Sequence, residues 1–456
     1  MDIKTVNEFI DFFRKNCDDK TTIIKELCKI DMLKESLYDE IFSYCDNNCE
    51  ANPFLYFILS FKGIYEEDDE EHITNLLKAA EAGITEAQYA LGCAYDDSGD
   101  ELDDLESIKW LKKAVSKNYP PAFHRLGLMY EYGEGVEENV KMAFELYEKG
   151  AVLGDAQSQC CLAVMYDNGN GVAENDNEAI YWYKRSAEQG NARAMYNLGL
   201  MYEYGEGVEK DFNKAIELYK ASAEKENAYA LYRLGKAYLS GEGVEKNYEK
   251  AAHYFKIAAD NYHYQSAYEL AELYFYGNGI EEDDEKAFEY YSIAAEGEYP
   301  PALYSLGFMY DKGIGTKKDL EKAKQLCLIA AMNGDYNAQM YMATYYEKHA
   351  EIEDHLDEAI RWYEKAIEGG CIDGLFRLGL LYLNNETLED NFEHAYNFFS
   401  QAIEYDYPQA FFALGIMYEE GLYVEKSLDK AISCYEKAAE LGFDEAKVKL
   451  EELKKK

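Results

Sequence analysis

AMYNLGLMYEYGEGVEKDFNKAIELYKASA, residues 194–223, reads as two helices and the turn that joins them. Ala194, Leu198 and Tyr202 recur every four residues, so they share one helical face. Gly199 follows the Leu198 anchor, and its missing Cβ lets a second helix approach closely. The helix stops at Gly205 and Gly207, where glycine can take a left-handed cap conformation. Four residues on, Asp211 suits the N-cap of a second helix carrying Ala215, Tyr219 and Ala223.

The same pattern returns along the chain. Its anchor falls at Leu55, Leu91, Leu126, Leu162, Leu198, Leu234, Leu270, Leu306, Met342, Leu378, Leu414 and Leu450, with every step 36 residues except one of 35. Chance matches do not hold phase over so many positions. The capping place is filled by Asn139, Asn175, Asp211, Asn247, Asp283, Asp319, Asn391 and Ser427. Pro120, Pro121, Pro300, Pro301 and Pro408 lie five or six residues before an anchor, where a helix can begin without losing a needed donor.

A hairpin cannot bury its apolar face alone, so such units stack. The expected fold is all-α, a right-handed superhelical solenoid of about eleven antiparallel helix-pair repeats with a 36-residue period. Repeats occupy 51–445, and residues 1–50 (Phe9, Ile10, Phe13; Ile23, Ile24, Leu27) read as a helical N-terminal cap. Residues 446–456 read as a Lys-rich C-terminal capping helix. The loop glycines are missing in the first unit, are replaced after Met342 by EKHAEIEDH, and are replaced after Leu378 by NNETLED. Helical extensions or changes of curvature are expected at those joints.

The pattern A-x3-LG-x2-Y-x2-G-x-GV, followed by a Lys-Ala-x3-Tyr helix, resembles the Sel1-like repeats, relatives of the tetratricopeptide repeat, over roughly residues 51–445. Members of that family are mostly adaptors and assembly scaffolds, so the resemblance implies a protein that holds other proteins.

Charge narrows the partners. With 89 acidic against 46 basic residues the formal net charge is −43, a field that repels phosphate backbones and anionic membranes. Neither nucleic acid nor membrane is expected, whereas a basic or amphipathic protein segment is. The first residues carry no signal-peptide stretch, and no window approaches the ~18 apolar residues of a membrane span. A cytoplasmic location is expected, with export by a dedicated secretion machine left open; the sequence leaves the oligomeric state undetermined. Cys93, Cys160, Cys161, Cys327, Cys371 and Cys434 sit at unrelated repeat positions, as core-filling thiols do and disulfides would not.

The partner surface follows from helical phase. Positions two before and two after the anchor lie opposite the face turned into the helix pair, the side that lines the concave groove of a superhelix. The column two before gives Tyr196, Tyr232, Tyr268, Tyr304, Met340, Phe376 and Phe412, a ladder of aromatics. The column two after includes Leu200 and Phe308, and the fifth position after the anchor is mainly acidic, as at Glu203, Asp311 and Glu347. An aromatic floor with a carboxylate border predicts a partner segment carrying apolar anchors and Lys or Arg. The competing expectation is that these rings are only contacts between repeats.

Chemistry finds little support. The Gly-x-Gly turns follow a helix and lack the lysine of phosphate loops. Cys17, Cys28, Cys45 and Cys49, and His349 with His355 near Glu347, Glu351, Glu353 and Asp354, are the candidate metal clusters, and neither matches a strong ligand spacing. Trp110, Trp182 and Trp362 hold the core phase of the second helix. No cofactor and no catalytic constellation is expected. The leading function is a protein-interaction scaffold or adaptor, the alternative a dedicated regulator or inhibitor, of the immunity or effector type, of one enzyme or basic partner.

Overall fold

The computed structural model describes residues 6–16, 35–50, 52–65, 69–96, 101–350, 352, 354–385 and 388–453. Among the described residues all regular structure is helical. The chain divides into two compact units, Met1–Ala230 and Leu231–Lys456. Each is a stack of hairpins, whose first helix is termed A and second B.

In the first unit the pairs are Phe54–Tyr65 with Asp69–Glu81, Thr85–Asp96 with Glu101–Ser116, Pro120–Tyr132 with Val140–Val152, Ala156–Asn168 with Asp176–Glu188, and Ala192–Tyr204 with Phe212–Ala223. The second unit holds Tyr264–Tyr276 with Asp284–Glu296, Pro300–Lys312 with Leu320–Met332, Tyr336–Lys348 with His355–Glu368, Ile372–Asn384 with Asn391–Ala402, and Pro408–Glu420 with Leu428–Glu440. Helix Ala228–Ser240, paired with Tyr248–Asp260, begins at the unit boundary, and Asp444–Leu453 is the last helix. At the N-terminus Val6–Asn16 and Glu35–Asn48 precede the first pair, and Phe13 packs edge-on against Phe57 at 5.5 Å and Phe61 at 4.8 Å. Ile23, Ile24 and Leu27 lie outside the described residues.

The regular turn has one construction. Gly205, at φ 80°, donates its N–H to the Met201 carbonyl, and Asp211 N–H reaches back to Tyr202 O at 2.8 Å. The Asp211 side chain then accepts from the N–H groups of Asn213 and Lys214, satisfying donors the helix leaves open. Asn139, Asn175, Asn247, Asp283, Asp319 and Ser427 cap in the same way. Asn391 does not. It is the first helical residue after Asp390, which sits at φ 47° without a side-chain cap bond, and its own amide donates to Asn385 O at 3.3 Å. The loop lost its glycines there, so the chain enters the helix by a different path.

The joint after Met342 is similarly irregular. Helix Tyr336–Lys348 has the ordinary 13 residues and ends at His349, so the replaced loop does not extend it. The next helix starts after Asp354 at φ 65°, again with no side-chain cap bond.

Two recurrent pairs hold A against B. Lys214, Lys250, Lys286, Lys322 and Lys430 of B lie 5.1–5.2 Å from the ring centroids of Tyr202, Tyr238, Tyr274, Tyr310 and Tyr418 of A. Each such cation–π contact contributes about 0.5–1 kcal/mol at a wet site. Deeper in, eight hairpins each bury one B-helix ring fully (Tyr147, Tyr183, Tyr219, Phe255, Tyr291, Tyr363, Phe399, Tyr435). A Cβ on Gly199 would stand 2.5 Å from Tyr219 Cε1, which is why the residue after that anchor is so small. Trp110 and Trp362 are buried and Trp182 half-buried, as their phase predicts.

Candidate functional site

The candidate site is the A-helix face. All twelve side chains expected to line the groove (Tyr196, Tyr232, Tyr268, Tyr304, Met340, Phe376, Phe412, Leu200, Phe308, Glu203, Asp311 and Glu347) are half-buried. The reason is local packing. Tyr196 leans on Tyr219 of its own B helix at 6.0 Å and on Tyr229, at the start of the next A helix, at 5.8 Å. Tyr232 is held between Phe255 and His263, Tyr268 between Tyr291 and Tyr299, Phe376 between Phe399 and Tyr407, and Phe412 between Tyr435 and Phe443. One edge of each of these five rings is thus a contact between repeats.

The acidic column has an inward partner that helical phase did not reveal. The Tyr147 hydroxyl donates to Glu131 at 2.6 Å, Tyr183 to Asp167 at 3.0 Å, Tyr363 to Glu347 at 2.6 Å and Tyr435 to Glu419 at 2.8 Å; Tyr219 does the same to Glu203. A buried hydroxyl needs an acceptor, and each pair spans 16 residues. Burial pushes the Tyr147, Tyr183, Tyr363 and Tyr435 phenols up, so they remain donors. The signal was present in the sequence as covariation within one chain. Where the buried ring is Phe255 or Phe399, the residue 16 earlier is Leu239 or Leu383. Tyr291 follows Phe275 by the same spacing and donates instead to Glu272, whose carboxyl burial raises.

Asp311 has no such tyrosine. Sixteen residues on stands Cys327, not tyrosine, and Asp311 pairs with Lys312 at 2.5 Å. It lies in a groove of about 820 Å³ in the second unit, lined also by Tyr304, Phe308, Met340, Tyr341, Thr344 and Tyr345. A cavity of about 140 Å³ continues it along Tyr276, Tyr291 and Ser305, sharing Tyr304 and Phe308. In the first unit a separate groove of about 350 Å³ is lined by Val164, Asp167, Tyr183, Arg193, Leu200, Tyr204 and Glu206.

Among the described residues the candidate metal clusters do not assemble. Cys45 and Cys49 are buried free thiols, with the Cys45 thiol pushed up to about 12 mainly by burial, and Cys17 and Cys28 lie outside the described residues. His349 Nδ1 is bonded to the Tyr345 carbonyl at 2.7 Å, His355 packs edge-on against Tyr346, and Glu347 takes the Tyr363 hydroxyl; Glu351 and Glu353 lie outside the described residues. Among the described residues no group of three or more His, Cys, Asp or Glu could hold a metal ion, and Cys160, Cys161, Cys327, Cys371 and Cys434 are free thiols. Among the described residues no helix is long and apolar enough to cross a membrane.

Stacked helical hairpins with an open A-helix face define an α-helical repeat protein. Ten segments, 85–119, 120–155, 156–191, 192–227, 228–263, 265–299, 300–335, 337–371, 372–404 and 408–443, match the Sel1 repeat model, and the chain belongs to the Sel1 repeat family. The unit anchored at Leu55 lies outside the matched segments. The chain is similar to c5321, a protective antigen of uropathogenic Escherichia coli strains displaying an SLR fold, at 32% identity and TM-score 0.72, covering 84% of this chain and 82% of that one. It is also similar to a Sel1 repeat protein from Oxalobacter formigenes at 32% identity and TM-score 0.50, over 53% of this chain and 98% of that one. The DAP3-binding cell death enhancer 1 of Rattus norvegicus is 33% identical over 98 residues, 21% of this chain and 19% of that protein, so the match spans about a fifth of that relative. Sel1 repeat proteins generally act as protein-interaction scaffolds, and no catalytic family is indicated for this chain.

Proposed function

We propose that this chain is a scaffold or adaptor that holds extended segments of partner proteins against the A-helix faces of its units, with partner apolar side chains on Tyr196 in the first unit and on the ladder from Tyr232 to Phe412 in the second. The observation that carries this reading is the half-open ladder. Each packed ring is braced by a B-helix ring and by a residue of the following repeat, so the floor is rigid before anything binds. Preorganised aromatic surface costs little entropy to occupy, which favours its use in binding. Over the first-unit groove, Asp167, Glu206 and the exposed Tyr204 suit a basic amphipathic segment through charge and cation–π contact.

The test is capture of partners from the native cell by the full chain and by Tyr232→Ala with Tyr268→Ala. Loss of partners from a variant that keeps its helical circular dichroism is the expected result. Unchanged capture by a folded variant would sink the reading. A single stoichiometric partner would mark a dedicated regulator, and several weaker ones an adaptor.

A further inference from the structure

The second-unit groove has the wrong charge for this chain. Acidic residues outnumber basic ones by 89 to 46 overall, yet Lys312, Lys324, Lys348 and Arg377 all line this one groove. Three carboxylates stand against them, Asp311, Glu321 and Asp373. Asp311 is held by Lys312. Asp373 accepts from Arg377 Nε at 2.9 Å and, on its other oxygen, from the Tyr407 hydroxyl at 2.6 Å. Among the described residues, Lys324 and Lys348 form no ion pair, and Lys324 rests 4.4 Å from the Tyr345 ring centroid with its Nζ 3.2 Å from that hydroxyl. Arg377 uses only Nε on Asp373, which leaves its terminal nitrogens for another acceptor.

We propose that this groove receives an acidic peptide segment, with its carboxylates at Lys324, Lys348 and the outer edge of Arg377 and an adjacent apolar side chain between Phe308 and Met340. The inference rests on the scaffold reading and adds the sign of the partner's charge. Complementarity carries it. The chain's excess of acidic residues disfavours a carboxylate-bearing segment in general, whereas these cations favour one in this groove, so they give specificity as well as attraction. At physiological salt, screening over ~8 Å leaves these local cations dominant within the groove.

The experiment uses the full chain carrying a photo-crosslinking benzoylphenylalanine in place of Tyr336, an exposed residue on the groove lining. The probes are a short fluorescein-labelled peptide alternating glutamate with leucine, and its lysine–leucine counterpart. The glutamate peptide is expected to crosslink at that position, and Lys324→Glu with Lys348→Glu to weaken it at least about tenfold. Lys324→Gln with Lys348→Gln, a milder change, should give a smaller loss in the same direction. Equal or tighter capture of the lysine peptide at this position, or no loss on charge reversal, would overturn the inference while leaving the scaffold reading standing. Failure of both peptides to crosslink there would count against both. Displacement of the glutamate peptide by an oligothymidylate would assign the cations to phosphate and also overturn it.

Discussion

The hairpin of helices Ala192–Tyr204 and Phe212–Ala223 and that of helices Tyr336–Lys348 and His355–Glu368 bury the same pair. In one, the Tyr219 hydroxyl meets Glu203; in the other, Tyr363 meets Glu347. They differ at the anchor's neighbour, Gly199 against Ala343, and at the turn. The first turn has a left-handed Gly205 and an Asp211 cap; the second has His349 and an Asp354 that caps nothing. They also border grooves of different character, one with Asp167 and Glu206 against Arg193, the other with four cations against three carboxylates. A repeat's core and its partner surface can therefore vary separately, because they occupy different faces of the same helix.

The largest expected effect breaks the core of the first hairpin. Gly199→Leu drives a side chain into the buried Tyr219 ring and should destabilise that hairpin by about 3 kcal/mol. Ala343→Gly should cost only about 1 kcal/mol through helix propensity. Hydrogen exchange of the local helices reads both, since repeat arrays open piecewise. Equal protection in the two variants would refute the packing argument.

Next comes the tyrosine–carboxylate pair. Tyr219→Phe and Tyr363→Phe should each cost about 1–2 kcal/mol. The stricter test is Phe255→Tyr, which buries a hydroxyl opposite Leu239 and should destabilise, with Leu239→Glu restoring part of the loss. Absence of rescue in that double-mutant cycle would show that the 16-residue spacing is incidental.

The turns should differ less. Asp211→Ala removes a working cap at a cost of about 1 kcal/mol, whereas Asp354→Gly relieves a left-handed residue and should gain about 0.5 kcal/mol. Thermal midpoints of the single variants check both signs.

The smallest effect concerns a cap that titrates. Asn191 caps helix Ala192–Tyr204 and carries no ionisable group, but the equivalent cap of helix Tyr264–Tyr276 is His263, whose Nδ1 accepts from Ser266 N–H. Burial lowers the His263 pKa below its usual 6.5, so the unfolded chain binds the proton more readily. Its contribution is therefore present above 6.5 and lost as pH falls below that value. Between pH 7 and pH 5, by this linkage, the wild type should lose more stability than His263→Asn. A parallel fall in the two proteins would exclude His263 as the cause.

Much of this was legible beforehand. The 36-residue phase, the seven capping residues that cap and the proline helix starts all follow from helical geometry and local chain chemistry, whereas the sequence left open how far the ladder's rings are packed between repeats. Asn391 was misread because its loop lacks the glycines that set the capping distance, and Asp390 takes the entry position instead. Glu203 and Glu347 were placed on the groove by phase alone. Their inward bonds depend on where a B-helix hydroxyl ends, which one helix's periodicity does not contain.

The sequence by itself determined the repeat, its helices and the residues that alternate between core and outer face, because period and capping act within about one turn of chain. Only the tertiary structure decided what stands opposite each side chain. It turned most of the acidic column toward buried tyrosines, left Asp311 paired with Lys312, and gathered Lys312, Lys324, Lys348 and Arg377 from four helices around one cavity. The physical reason is that hydrogen bonds and charge complementarity depend on distances between helices, and those are set by packing.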